Sequence, residues 1–166
     1  MEDAFFMNKA LEHAKKALLA GEFPVGCVLV YNNKIISSGS RTGTYGAYEN
    51  ETDHAEMIAL QNLANSKKNI DKHKISLFCT LEPCLMCFGA IILSGIRNIN
   101  YAYEDIMGGA TGCDLTKLPI LYRTADILIK NGTLRHKSIE LFKRYFANPK
   151  HTYWQKSILS EYTLKL

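Results

Sequence analysis

The chain has 166 residues, 47% of them apolar and 22% charged, with a formal net charge of +4 at pH 7. These values describe one compact soluble domain, residues 1–166, long enough to bury a core without disulfide staples, and the charge is too mild to imply a polyanionic partner. No apolar run approaches the roughly 18–20 residues that span a bilayer, so no membrane role is expected.

The opening stretch MEDAFFMNKALEHAKKALLAGE is acid-bearing and polar, unlike a secretory leader. Its Phe6, Ala10, Ala14, Ala17 and Leu18 recur at helical spacing, predicting a surface helix over 3–20 that stops at Gly21. FPVGCVLVY (23–31) and KIISSGS (34–40) flank an Asn-Asn turn and predict an antiparallel hairpin. The polar, glycine-bearing segment RTGTYGAYENETD predicts a loop. DHAEMIALQNLANSKK (53–68) predicts a helix capped by Asp53. ISLFCTL (75–81) predicts a buried strand, and PCLMCFGAIILSG a helix opened by Pro83 and closed near Gly95. Then follow a strand over 98–103, a loop, a short strand in ADILIKNG, a helix in SIELFKRYF and a tail from 150 that adds a last short helix. Strands alternating with helices after a hairpin predict an α/β fold, a mixed sheet covered by helices on both faces. Sites in such folds form where helix N-termini gather beyond strand ends.

Two such helix starts carry unusual residues. Cys84 and Cys87 stand at i and i+3, so both sulfurs share one face near a positive helix end that favours thiolates. The remaining cysteines, Cys27, Cys79 and Cys113, are scattered singly. Five cysteines without framework spacing suit a reducing compartment, hence a cytoplasmic location. Taken alone, the CxxC fits a metal site, a redox pair or core filling. His54 and Glu56 open the other helix. One histidine and two cysteinates give zinc three protein ligands and leave a fourth position open, the arrangement of catalytic sites. Glu56 then stands beside the metal as a general acid/base.

The order H-A-E, 26 residues (57–82), then P-C-L-M-C matches the H-x-E…P-C-x-x-C signature of zinc nucleobase deaminases. Through FPVGCVLV, HAEMIAL, TLEPCLMCFGAIILSGI, the GGATG loop and ILIKNGTLRHKSIELFKRYF, the chain resembles the cytidine and deoxycytidylate deaminase superfamily, and within it the bacterial tRNA adenosine deaminases. The resemblance implies a cytidine-deaminase-like three-layer α/β/α fold around a five-stranded mixed sheet, a homodimer, and hydrolysis of an exocyclic amine with release of ammonia. It also implies one Zn²⁺ per subunit held by His54, Cys84 and Cys87, protons shuttled by Glu56, and a Cys84 N–H placed toward the reacting water.

The match thins before His54. Where the tRNA enzymes carry a Gly-x-Asn whose Asn touches substrate, this chain has Gly39-Ser40-Arg41, followed by an acidic run at Glu49, Glu51 and Asp53. Arg41, Asp53 and Pro83 are therefore the candidate substrate-binding residues. Three functions follow: deamination of a tRNA anticodon adenosine, supported by Arg135, Lys137, Lys143 and Arg144; deamination of a free base, nucleoside or nucleotide, supported by Arg41 and the acids; or a zinc protein that binds without turnover. Trp154 and Tyr153 are read as docking the tail onto the core, with base stacking as the alternative. Cys27 and Cys79 are read as core residues, Cys113 as a loop residue, and His13, His73, His136 and His151 as surface residues.

Overall fold

The computed structural model describes residues 2–47, 49–66 and 69–166. Helix α1 (Glu2–Leu19) has Glu2 and Asp3 in its first turn and Lys16 in its last, which suits the helix dipole. Phe6, Met7, Ala10, Leu11, Ala14 and Ala17 form its buried stripe. Strands β1 (Gly26–Tyr31) and β2 (Lys34–Ser40) form the expected hairpin, turned by Asn32 and Asn33 at φ 47° and 59°. Asparagine tolerates this left-handed conformation better than other side chains. After α2 (Ala55–Asn65), strand β3 (Ser76–Leu81) leads into α3 (Leu85–Leu93) and β4 (Asn98–Tyr103). A short α4 (Ile120–Arg123), β5 (Leu128–Asn131), α5 (Arg135–Ala147) and α6 (Ile158–Lys165) complete the chain.

The strand order is β2-β1-β3-β4-β5, with β1 antiparallel to both neighbours and β3, β4 and β5 parallel. The sheet is thus mixed and five-stranded, as the resemblance implied. Period-two alternation sorts its side chains onto two faces. Val28, Val30, Phe78 and Ala102 pack beneath α1 with Leu141 of α5. Cys27, Leu29, Leu77, Cys79 and Ile99 belong to the larger core with Ala55, Ala59 and Leu63 of α2 and Phe88, Ile91 and Ile92 of α3. Cys27 and Cys79 are directly opposed across β1 and β3, fully buried with free thiols. Among the described residues no helix is long and apolar enough to cross a membrane.

Several boundaries differ from the sequence reading. The first strand begins at Gly26, three residues late, because Phe23 and Val25 turn into the cleft described below. The N-cap of α2 is His54 (φ −69°, ψ 151°) and not Asp53, and α3 is capped by Cys84 with Pro83 outside the helix. The last two residues of the expected 53–68 helix, Lys67 and Lys68, lie outside the described residues. The unforeseen α4 follows Pro119, a common helix opener. The helix expected over 138–146 starts earlier, at Arg135, where three basic residues against the dipole hide its beginning. His151, read as a surface residue, is buried: its ring stacks 4.3 Å from Tyr145 and its Nδ1 lies 3.0 Å from the Tyr145 carbonyl.

Candidate active site

Two helix N-termini meet at one point because the backbone leaves them no other place. A Cβ added to Gly39 of β2 would collide with the Ala55 carbonyl, so glycine is what lets the first turn of α2 press onto the sheet. At the other helix, the Glu82 carboxylate fixes the crossing from β3 into α3. Its Oε1 accepts the Thr111 N–H (3.1 Å) and hydroxyl (2.5 Å), and its Oε2 accepts the Asp105 N–H (3.2 Å). Asp105 Oδ1 in turn accepts the N–H groups of Met107 and Gly108, both at 2.9 Å. The loop over 105–111 is thereby tied to the residue two positions before Cys84.

This scaffold brings His54, Cys84 and Cys87 together, their ligand atoms all within 4.8 Å of one another. His54 Nδ1 lies 3.6 Å from Cys84 Sγ and 3.5 Å from Cys87 Sγ. Zinc–sulfur bonds of about 2.3 Å and zinc–nitrogen bonds of about 2.05 Å at a tetrahedral angle separate N from S by about 3.6 Å. The two separations from His54 Nδ1 therefore match those between corners of a zinc tetrahedron, in which three protein ligands leave one corner over.

The charges point the same way. Cys84 is held down to about 4 by the hydrogen bond from Cys87 and by His54, while Cys87 is pushed up by that same Cys84 neighbour and by burial. Two close thiols cannot both ionise without a cation, and a divalent ion removes that conflict. Burial works against the charged form of His54, but the Cys84 sulfur and Glu56 outweigh it and raise its pKa. Glu56 is only 3% exposed, and its Oε2 is buried with no hydrogen-bond partner among the described residues. An unpaired buried carboxylate oxygen is costly, and its retention beside a metal site fits a group that trades protons with a substrate. Burial raises its pKa, which eases proton uptake.

Glu56 and His54 open onto a cleft of about 150 Å³. A cavity of about that volume admits a flat aromatic group, which suits a base far better than a whole nucleotide. Its walls are apolar at Phe23, Val25, Leu81, Met107 and Leu159, and acidic at Glu51, Glu82 and Asp105. Arg41, expected to bind substrate, does line the cleft, but it is 2% exposed and committed elsewhere. Its guanidinium donates to the carbonyls of Thr42, Asn50 (2.8 Å) and Asp53 (3.1 Å) and approaches the Glu51 carboxylate (3.4 Å). Asp53 and Pro83, the other expected substrate residues, are not in the cleft lining. Their carbonyls tie loops instead, Asp53 to the Thr42 N–H and Pro83 to the Ala110 N–H.

The tail supplies what the sequence reading left undecided. Tyr153, Trp154 and Leu159 all reach the cleft. Tyr153 docks edge-on against Phe23 (5.3 Å) and donates to Glu51 Oε2 (2.8 Å), whereas Trp154 stays 46% exposed. Asp105 and Met107 also escaped notice. The one signal in the sequence was the run Asp105-Ile-Met-Gly108, a side chain placed to accept from the backbone two and three residues on.

The geometry defines a class, a His-Cys-Cys cluster spaced for zinc and a buried carboxylate facing a cleft the size of a base. The chain belongs to the cytidine and deoxycytidylate deaminase family, whose zinc-binding region matches residues 1–103; it is a zinc-binding hydrolytic deaminase. It is 33% identical over 152 residues to the tRNA-specific adenosine deaminase of Buchnera aphidicola subsp. Schizaphis graminum, covering 88% of this chain and 95% of that protein. A solved structure from work on A-to-I editing by tRNA:A34 deaminases superposes with a TM-score of 0.68 at 30% identity, over 82% of this chain and 98% of the other. Guanine deaminase from Nitrosomonas europaea shares the fold, with a TM-score of 0.68 at 24% identity over 87% and 85% of the two chains.

Proposed function

We propose that the chain, as one deaminase domain, converts an adenine base in tRNA to hypoxanthine by hydrolysis, releasing ammonia. In this reading His54, Cys84 and Cys87 hold zinc and Glu56 is the catalytic acid/base. When bound, the zinc supplies a Lewis acid that makes water nucleophilic at neutral pH. Glu56 takes a proton from the attacking water, delivers one to the ring nitrogen, and passes one to the departing amine. Its buried, unpartnered Oε2, on a residue that lines the cleft, is the observation that carries this role. The resemblance to enzymes named for tRNA adenosine supports the substrate. A base inside RNA reaches such a cleft only when flipped out of its stack.

The cleft itself favours a second reading, a free purine base. It is small, lined by acids, and partly covered by the tail. Two of the basic residues that favoured RNA are also engaged, Arg135 with Glu104 and Lys137 with Asn8. Ammonia release on an adenosine-34 anticodon stem-loop and on free adenine, guanine and cytosine separates the two. For RNA, KM rises steeply between 50 and 200 mM salt as counterion release predicts, by about tenfold or more; turnover confined to a free base and indifferent to salt contradicts the RNA substrate.

A homodimer belongs to the same proposal, as does a cytoplasmic location, which suits five free cysteines. Leu85 and Leu93 of α3, Ile120 and Leu121 of α4, and Leu128 of β5 are large apolar side chains left exposed. Light scattering on the purified protein tests the dimer directly, and the same protein with Leu85→Glu and Leu93→Glu is expected to run as a monomer.

A further inference from the structure

We propose that Trp154 forms the outer wall of the base pocket, a specificity-determining contact, and that Arg41 is the positioning residue that holds it there through Glu51 and Tyr153. The inference rests on the cleft being the base pocket.

Residues of the tail alternate in what they do. His151 stacks on Tyr145, Tyr153 packs on Phe23, and the Gln155 amide donates to the Phe146 carbonyl at 3.2 Å. Between these anchors stands Trp154, lining the cleft while 46% exposed. Its backbone φ is +55°, and Lys156 follows at +58°. A bulky side chain keeps a left-handed backbone only where the surroundings impose it, and here Trp154, between anchored neighbours, lines the cleft with its indole edge-on to Tyr153 at 5.4 Å.

Arg41 supplies that imposition. Its guanidinium gathers the carbonyls of Thr42, Asn50 and Asp53, which folds the loop before His54 into a fixed shape. The same group lies 5.6 Å over the Tyr153 ring, and Tyr153 hydroxyl and Arg41 both meet Glu51 Oε2. A closed cycle of three side chains thus joins the loop preceding the zinc ligand to the tail residue preceding Trp154. Arginine, with five donors in a planar fork and a face that stacks on aromatics, can close such a cycle; asparagine or lysine cannot. Arg41 therefore acts on substrate through Trp154, as a positioning residue. The indole offers a flat, apolar, sequence-tolerant face, the kind of surface on which a flipped base stacks.

Trp154 is the only tryptophan in the chain, so its fluorescence reports this contact alone. The zinc-loaded, full-length Glu56→Ala protein is titrated with three probes: the adenosine-34 stem-loop, the same stem-loop abasic at position 34, and free guanine. Stacking predicts saturable quenching by the intact stem-loop and none by the abasic one. In turnover by the otherwise native enzyme, Trp154→Ala raises KM about tenfold or more, the loss falling on KM, and Trp154→Phe recovers most of it. Tyr153→Phe and Glu51→Gln shift the emission of the free protein to the red and raise KM about threefold. Quenching by guanine alone, with turnover of guanine alone, keeps the wall and refutes the RNA substrate. Turnover of any probe with unchanged fluorescence and unchanged KM in Trp154→Ala overturns the wall. Lowered thermal stability with unchanged KM in Tyr153→Phe and Glu51→Gln overturns the positioning role. No binding and no turnover with all three probes removes both proposals together.

Discussion

At the inner end of the cleft stand His54, Glu56 and Cys84, with Cys87 buried behind them, at the starts of α2 and α3 on a five-stranded sheet. At the outer end, Arg41, Glu51, Tyr153 and Trp154 come from two irregular segments, and the Glu51–Tyr153 bond joins positions 102 residues apart. The inner end gets its geometry from regular structure. Once β2 lacks a side chain at Gly39 and β3 delivers Pro83, the helix starts have little freedom, and four side chains inherit that precision. The outer end gets its geometry from side chains that hold one another, so a few substitutions can reshape it while the zinc site stays intact. Chemistry placed on rigid elements and selection placed on loops is how one fold comes to serve several substrates.

Breaking the inner end has the largest effect. Cys87→Ala leaves zinc two ligands, and metal content by plasma emission spectroscopy is expected to fall from about one per subunit to below about a tenth, with ammonia release at background. Gly39→Ala comes next. Its new methyl meets backbone and not a flexible side chain, so α2 must shift, at a cost of about 2–3 kcal/mol in chemical denaturation together with lost zinc affinity. The matching change in the loop that joins Arg41 to Glu51 is milder. Among the described residues nothing lies within 4 Å of a Cβ placed on Gly46, which has only its φ of +86° to satisfy, so Gly46→Ala costs about 1 kcal/mol and leaves zinc content untouched. Equal zinc loss from both glycine variants would erase the contrast between the two ends.

An effect as small, and dependent on pH, lies away from both ends, where α6 closes on β4. Arg135 forks onto Glu104, which also accepts from the Tyr162 hydroxyl at 2.7 Å. Arg135 holds the Glu104 carboxyl well below the usual range, at about 2. A depressed carboxylate stabilises the fold above its unfolded pKa near 4.5 and loses that contribution as pH falls toward 2. With about a third of each side chain exposed, solvent screening limits the contribution to about 1 kcal/mol. Arg135→Ala is therefore expected to lower stability by about that amount at pH 7 and by nothing near pH 2, measured by denaturant titration at each pH.

How far the sequence reached follows the same division. The hairpin, the mixed sheet and the zinc cluster were legible because each leaves a short-range mark: the Asn-Asn turn, apolar runs after a period-two pair, Cys84 and Cys87 one helical turn apart. His54 was legible only with Glu56 and the cysteines, since a lone histidine before a helix carries no signal. The role of Arg41 was not legible. It replaces an asparagine expected to touch substrate, and only the fold shows its guanidinium spent on three carbonyls. Trp154 and Tyr153 are marked together as tail-docking or base-stacking residues, but no periodicity divides those roles between two neighbours, one of which turns left-handed. His151 went wrong because its polar neighbours in sequence are not its neighbours in space, where Tyr145 covers it.

In the proposed reaction Glu56 moves protons beside zinc without helping to hold it. Zinc stoichiometry and single-turnover ammonia release, measured together on native and Glu56→Gln protein, separate the two roles. About one zinc per subunit is expected in both proteins, with a rate lower by about 10²- to 10⁴-fold in the variant. Near-native turnover in Glu56→Gln, or loss of its zinc, would overturn that assignment.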